Sequence, residues 1–252
     1  MFEFQSQLIF PTHAVPPAGP LPPGSRRLEL EVPDGPGLHG VHVPPEESPR
    51  EPRTLLLGFG GNAWNGEDVG SYLHELYPDT DVVAFHYRGY APSGGSPSAE
   101  ALISDAPLVH DLAVEALRPE RVIAVGFSIG SGVAAQLATR RKLDGLILVT
   151  PFDSLKALAQ AMYPWLPIGP LFQHEIDAAT AIEVSGVPAA IIAAERDEIV
   201  PRARTDALRS RATRLVLDVT IPRAGHNDIY ARSDFHAAMR QALAAVLGQT
   251  SA

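Results

Sequence analysis

The stretch Arg121-Val122-Ile123-Ala124-Val125-Gly126-Phe127-Ser128-Ile129-Gly130-Ser131-Gly132-Val133-Ala134-Ala135-Gln136-Leu137 decides the fold. It begins as a short apolar run of the kind a strand shows when both of its faces are covered. It then passes through the pentapeptide G-x-S-x-G at 126–130 and continues in the small and apolar residues of a closely packed helix. The pattern reads as strand, sharp turn, helix, with Ser128 at the apex. Small residues on both flanks permit the strained backbone that such a turn imposes, and the turn carries the serine hydroxyl out of the packed sheet. The pentapeptide also arises by chance, but a chance occurrence seldom falls between a buried strand and a small-residue helix.

Working outward, further short apolar runs occur at Thr54–Phe59, Asp81–Phe85, 143–149, 188–194 and Leu215–Ile221, most of them separated by helix-length segments. They too have the look of strands buried on both faces, and the alternation signals right-handed βαβ units around a parallel sheet with sites at the strands' carboxyl ends. Upstream, Leu28-Glu29-Leu30-Glu31-Val32 alternates with period two, Asp34-Gly35-Pro36-Gly37 is turn chemistry, and Leu38–Val43 alternates again, which predicts an antiparallel hairpin. Residues 11–24, with Pro16-Pro17 and Pro20-Leu21-Pro22-Pro23-Gly24, predict an extended arm packed along the domain rather than a helix or strand. The segment 151–187 contains Tyr163-Pro164-Trp165-Leu166-Pro167-Ile168-Gly169-Pro170, so it is no single straight helix, and it is the candidate cap or pocket wall.

At 252 residues, 45% hydrophobic and 19% charged, the chain suits one large α/β domain, 1–252, with no apolar run long enough for a membrane span. A net charge of -9, with lysine and arginine scattered, leaves no basic stripe for nucleic acid or anionic lipid. The absence of cysteine excludes disulfides, thiolate metal sites and a cysteine nucleophile. The start Met1-Phe2-Glu3-Phe4-Gln5 lacks the basic flank and apolar core of a signal peptide, and the expected location is the cytoplasm.

A serine hydroxyl attacks at neutral pH only if a base takes its proton and a carboxylate orients that base. After the run ending at Ala194 come Glu195, Arg196, Asp197, Glu198 and then Val200-Pro201; after Ile221 comes Ala224-Gly225-His226-Asn227-Asp228. Serine, acid and histidine thus follow one another in the order this scaffold requires, each just beyond a strand. Glu195 and Glu198 compete with Asp197, which the acid-x-x-Val-Pro arrangement singles out. His39 and His42 lie three apart on a strand and point to opposite faces, a poor metal pair. His74, His110 and His236 fall in helical stretches, His13 and His174 in irregular ones, and His86 at a strand end near the expected mouth. Attack on a carbonyl also needs donors for the developing oxyanion, and the loop Gly58-Phe59-Gly60-Gly61-Asn62-Ala63-Trp64-Asn65 supplies backbone N–H groups. One donor is expected from Ile129, after the nucleophile, and the other from Asn62. No G-x-G-x-x-G or Walker pattern follows any strand, so a nucleotide cradle is set aside.

Together these segments resemble the α/β-hydrolase superfamily, and within it the compact abhydrolase-domain serine hydrolases related to Bem-type and monoacylglycerol-lipase-like proteins. The resemblance extends to Gln7-Leu8-Ile9-Phe10-Pro11, His86-Tyr87-Arg88-Gly89-Tyr90, Ser93-Gly94-Gly95-Ser96-Pro97-Ser98, Thr150-Pro151-Phe152-Asp153-Ser154 and Tyr163-Pro164-Trp165-Leu166-Pro167. The chain departs from those proteins at Gly60, where a histidine is usual, and at Ala193-Ala194, where His-Gly is frequent. Many of them begin with a membrane anchor, and membrane association is not among the expectations carried over to this chain. The reading is then a single-domain α/β-hydrolase with a mostly parallel central sheet, an N-terminal antiparallel hairpin and helices on both faces. In it Ser128 is the nucleophile, His226 the base, Asp197 its partner, and Asn62 and Ile129 the oxyanion donors. Phe59, Trp64, Tyr90, Phe152 and Trp165 are candidate walls of an apolar acyl pocket. The substrate would be a small-molecule acyl ester, with neither metal nor cofactor implied. A peptidase or amidase on the same three residues, or a binding protein that has kept the fold and lost catalysis, are the alternatives.

Overall fold

The computed structural model describes residues 6, 9–33, 35–49, 51–164 and 172–248. Among these, eight strands form one sheet in the order β1-β2-β4-β3-β5-β6-β7-β8, accompanied by seven α-helices. The chain divides into two compact units, Met1–Ala124 and Val125–Ala252, and the division falls within β5 (Arg121–Phe127).

In the first unit, β1 (Arg26–Leu30) and β2 (Leu38–Val43) make the expected antiparallel hairpin, with Arg26 opposite His42 and Leu30 opposite Leu38. β2 runs antiparallel to β4 (Asp81–Phe85), and β4 runs parallel to β3 (Thr54–Phe59). Both β3 and β4 are buried at every position, which is why their sequences show no alternation. Between them lies α1 (Gly66–Leu76), whose N-cap Asn65 accepts a hydrogen bond from the Asp68 N–H at 2.8 Å, so the helix starts where the glycine-rich loop ends. The proline-rich arm holds one 3-10 turn, Thr12–Ala14, where no helix of any kind was predicted. Elsewhere it is irregular, and it is tied to the start of α1 by Gly19 N–H to Asp68 Oδ1 (2.8 Å) and Asn65 Nδ2 to the Pro16 carbonyl (3.3 Å). Next, α2 (Ala99–Leu117) follows its N-cap Ser98.

The second unit carries the parallel run β6 (Gly145–Val149), β7 (Ala189–Ala194) and β8 (Leu215–Ile221). β6 starts two residues later than its apolar run, since Leu143 is buried outside the ladder. β8 corrects the sequence reading: it is not covered on both faces but alternates, with Val216, Asp218 and Thr220 exposed. The reason is its place at the end of the strand order, where one face is left to solvent and the other is only half-buried. α3 (Ile129–Ala138) is almost wholly buried, as its glycines and alanines allow. Among its described residues, the segment 151–187 forms two helices, α4 (Leu155–Met162) and α5 (Ala178–Ser185), whose N-caps Ser154 and Asp177 also pair with each other across an antiparallel bridge. Residues 165–171, and with them Trp165 and Leu166, lie outside the described residues. α6 (Arg202–Arg211) and α7 (Ser233–Val246) complete the unit, α7 lying against β6, β7 and β8.

Candidate active site

Ser128 follows β5 directly and stands at φ 51°, ψ −116°, left-handed φ in a residue with a Cβ. Its N–H donates to the carbonyl of Val149, the last residue of β6, at 2.9 Å. Its own carbonyl accepts from the N–H of Ser131 (2.9 Å) and from the Ser131 hydroxyl (2.6 Å). The turn is so tight that a Cβ on Gly126 would lie 2.3 Å from the Gly130 carbonyl oxygen and 2.5 Å from the Ser131 Cα, so only glycine fits. The pentapeptide's first glycine is therefore a requirement of the turn.

Ser128 is half-buried, and its Oγ lies 3.1 Å from Nε2 of His226, a buried side chain reached five residues beyond β8. Both carboxylate oxygens of Asp197, three residues beyond β7, lie 2.9 Å from His226 Nδ1. Since the carboxylate can only accept, Nδ1 carries the proton and Nε2 is left free to accept the Ser128 hydroxyl proton. The Asp197 side chain is 6% exposed, and its Oδ1 also accepts the N–H groups of Ile199 (3.0 Å) and Val200 (2.7 Å), which lock its rotamer. The three residues that the sequence singled out from three separate strand ends thus form one chain of hydrogen bonds within the second unit.

The two rival acids have other partners. Glu195 Oε2 accepts the Arg223 N–H at 2.6 Å, and Glu198 Oε2 accepts the His226 backbone N–H at 3.1 Å. Sequence reasoning weighed them only as competitors of Asp197; their role as clasps on the histidine loop depends on how the two loops line up, which the Arg196 N–H to Ala224 carbonyl bond (2.8 Å) fixes. Asp228 Oδ1 accepts the Gly225 N–H at 2.9 Å and closes the histidine loop on itself.

Ile129 is the first residue of α3, so its N–H is among the helix's opening amides, which have no acceptor within the helix. Asn62 lies in the first unit, where its side chain is held at both ends: Oδ1 accepts the Tyr90 hydroxyl at 2.7 Å, and Nδ2 donates to the Ile9 carbonyl. Burial raises the Tyr90 phenol far above its ordinary range, so it remains a donor. Of the candidate pocket residues, Phe59, Tyr90 and Phe152 are buried, the ring of Phe152 against Gly132 of α3. Trp64 is half-buried and packs on Tyr72 with centroids 5.2 Å apart and planes tilted by 55°. His86, considered near the mouth, is buried, and its Nδ1 accepts the Gly66 N–H at 3.3 Å.

Residues 55–184 match the family model of the alpha/beta hydrolase fold. The chain belongs to the α/β-hydrolase family. Relatives of this α/β-hydrolase include an uncharacterized protein of Mycobacterium tuberculosis, 32% identical over 89% of this chain and 81% of the relative. Another is the lysophosphatidylserine lipase ABHD12 of Danio rerio, 30% identical over 62% of this chain and 46% of the lipase. Among solved structures, the esterase Pf2001 of Pyrococcus furiosus superposes with a TM-score of 0.69 over 91% of this chain and 95% of the esterase; at 17% identity the likeness is one of fold. Among the described residues no helix of this α/β-hydrolase is long and apolar enough to cross a membrane.

Proposed function

We propose that the protein is a serine hydrolase that cleaves carboxylic esters of small-molecule substrates through an acyl-enzyme. The observation that carries this reading is the hydrogen-bond chain from Ser128 Oγ through the His226 ring to Asp197. His226 Nε2 takes the hydroxyl proton as Ser128 Oγ bonds to the acyl carbon, and Asp197 fixes the tautomer and stabilises the imidazolium that results. The carbonyl oxygen becomes an oxyanion, for which the Ile129 N–H is one donor and, on the sequence reading, the Asn62 N–H the other. Collapse breaks the ester C–O bond, and the alkoxide leaves with the proton from His226. Water then gives a proton to His226 and attacks the acyl carbon; the acid departs and Ser128 regains its proton. A lipase among the similar proteins supports an acyl ester as the substrate class.

The test is hydrolysis of p-nitrophenyl esters from acetate to palmitate, comparing the protein with Ser128→Ala. The variant is expected to fold and melt as the parent does while kcat/KM falls by about ten-thousand-fold or more. Turnover that survives the substitution would sink the proposal, and a parent inactive on every ester would turn attention to amides or to a non-catalytic role.

A further inference from the structure

Three carboxylates occupy the four-residue loop 195–198, and each grips the histidine loop at a different point. Glu195 holds Arg223, Asp197 holds the His226 ring, and Glu198 holds the His226 main chain. The third contact alone bears on the main chain of the residue whose ring must also meet Ser128. Moreover, the residue before His226 is shaped for it: a Cβ on Gly225 would lie 2.9 Å from Glu198 Oε2, so the carboxylate occupies the space that any other side chain at 225 would claim. The remaining restraints on this stretch act elsewhere. The Asp228 bond to Gly225 lies inside the histidine loop, and the Arg196 bond grips Ala224, two residues upstream. A ring that swings on its Cα–Cβ bond is placed only as well as that Cα is placed, and the Glu198 carboxylate is what ties the His226 amide to the acid loop.

We propose that Glu198 is a positioning residue that sets the His226 imidazole between Asp197 and Ser128, and that Gly225 is glycine to admit it. The proposal rests on the serine-hydrolase reading above, so its test needs a readout that survives that reading's failure. A far-downfield proton resonance from the His226 Nδ1–H, shared with Asp197, reports the ring's placement without turnover. A fluorophosphonate probe reports activation of Ser128 without a known natural substrate.

Four variants are compared: Glu198→Ala, Glu198→Gln, Gly225→Ala and the Glu198→Ala/Gly225→Ala double. Misplacing a catalytic group by about 1 Å costs on the order of a hundredfold, so Glu198→Ala should slow probe labelling and lower kcat by about 10- to 100-fold, leave KM in place, and shift or broaden the resonance. Glu198→Gln, which keeps an acceptor oxygen, should recover most of the rate. Gly225→Ala clashes with the free end of the Glu198 side chain, which can move, and meets Asp228 Oδ2 at an ordinary contact distance of 3.4 Å; it should fold, reproduce the Glu198→Ala defect and add nothing to it in the double variant. Labelling at the parent rate with an unmoved resonance in Glu198→Ala overturns the proposal. So does a loss that glutamine does not relieve and that simply follows a fall in melting temperature. A parent whose labelling does not depend on Ser128 would remove the hydrolase reading, and the resonance in Glu198→Ala would still decide whether this carboxylate sets the histidine.

Discussion

Ser128 stands in a conformation that costs about 1–3 kcal/mol for a residue with a Cβ, and the surroundings that hold it there are all local. The Val149 carbonyl, the Ser131 amide and hydroxyl, and the close approach of the Gly130–Ser131 backbone to Gly126 fix the turn from three sides. A methyl group at 126 would meet backbone atoms, which cannot swing away as a side chain can. Gly126→Ala should therefore destabilise the protein by about 3 kcal/mol and abolish fluorophosphonate labelling of Ser128, measured by urea unfolding beside the labelling assay. A variant as stable and reactive as the parent would show that the turn has slack its geometry denies. This part of the site was legible in the sequence because a G-x-S-x-G turn forces its own geometry. The choice among Glu195, Asp197 and Glu198 was less so: three acids within four residues share their chemistry, and only the register between two loops gives each its partner.

At the scale of elements, Asp81 joins three strands of the first unit. Its carboxylate begins β4 and accepts from His42 Nε2 on β2 (2.8 Å) and from Nε of Arg53, just before β3 (2.8 Å). Burial pushes this carboxyl upward, but hydrogen bonds from His42 and Arg53, together with their charges, outweigh it and hold it below the ordinary carboxylate range. A folded value below the unfolded one, which is about 3.9, means that the carboxylate stabilises the fold fully above about pH 5 and progressively less as the pH falls through the folded value. Asp81→Asn should thus cost about 2–4 kcal/mol at pH 7, with the gap to the parent narrowing below pH 4 in urea titrations. A gap of the same size at every pH would show that shape, rather than charge, joins the strands. Such a junction is invisible to periodicity, since aspartate is a poor strand residue and its partners lie 39 and 28 positions away. β8 teaches the same lesson from the other side. Its alternation, with Asp218 and Thr220 at every second place, was present in the sequence, but its meaning came from the strand's place at the edge.

Over the whole molecule, the alternation of apolar runs with helix-length segments sufficed for the architecture because a strand buried on both faces has no other composition open to it. The N-terminal arm had no comparable signature. Prolines disfavour α-helix and strand but say nothing of where a chain docks, and the contacts that anchor the arm go through main-chain groups, the Pro16 carbonyl and the Gly19 N–H, which no sequence pattern reveals. Yet Phe10, just before the prolines, is 2% exposed and behaves as a core residue. If the segment leading into the arm is integral to the fold, Phe10→Ala should cost about 3 kcal/mol, the usual loss for a buried aromatic ring. For a chain of this length that corresponds to a fall in melting temperature of roughly 6–12 °C by scanning calorimetry. The neighbouring Ile9 carbonyl receives the Asn62 side chain, so the same substitution should also loosen the loop assigned to the oxyanion and lower kcat on p-nitrophenyl esters, measured well below the new melting temperature. Unchanged melting would make the segment at Ile9–Phe10 an appendage. A lower melting temperature with kcat intact would confine its role to stability and separate the Asn62 loop from the segment that touches it.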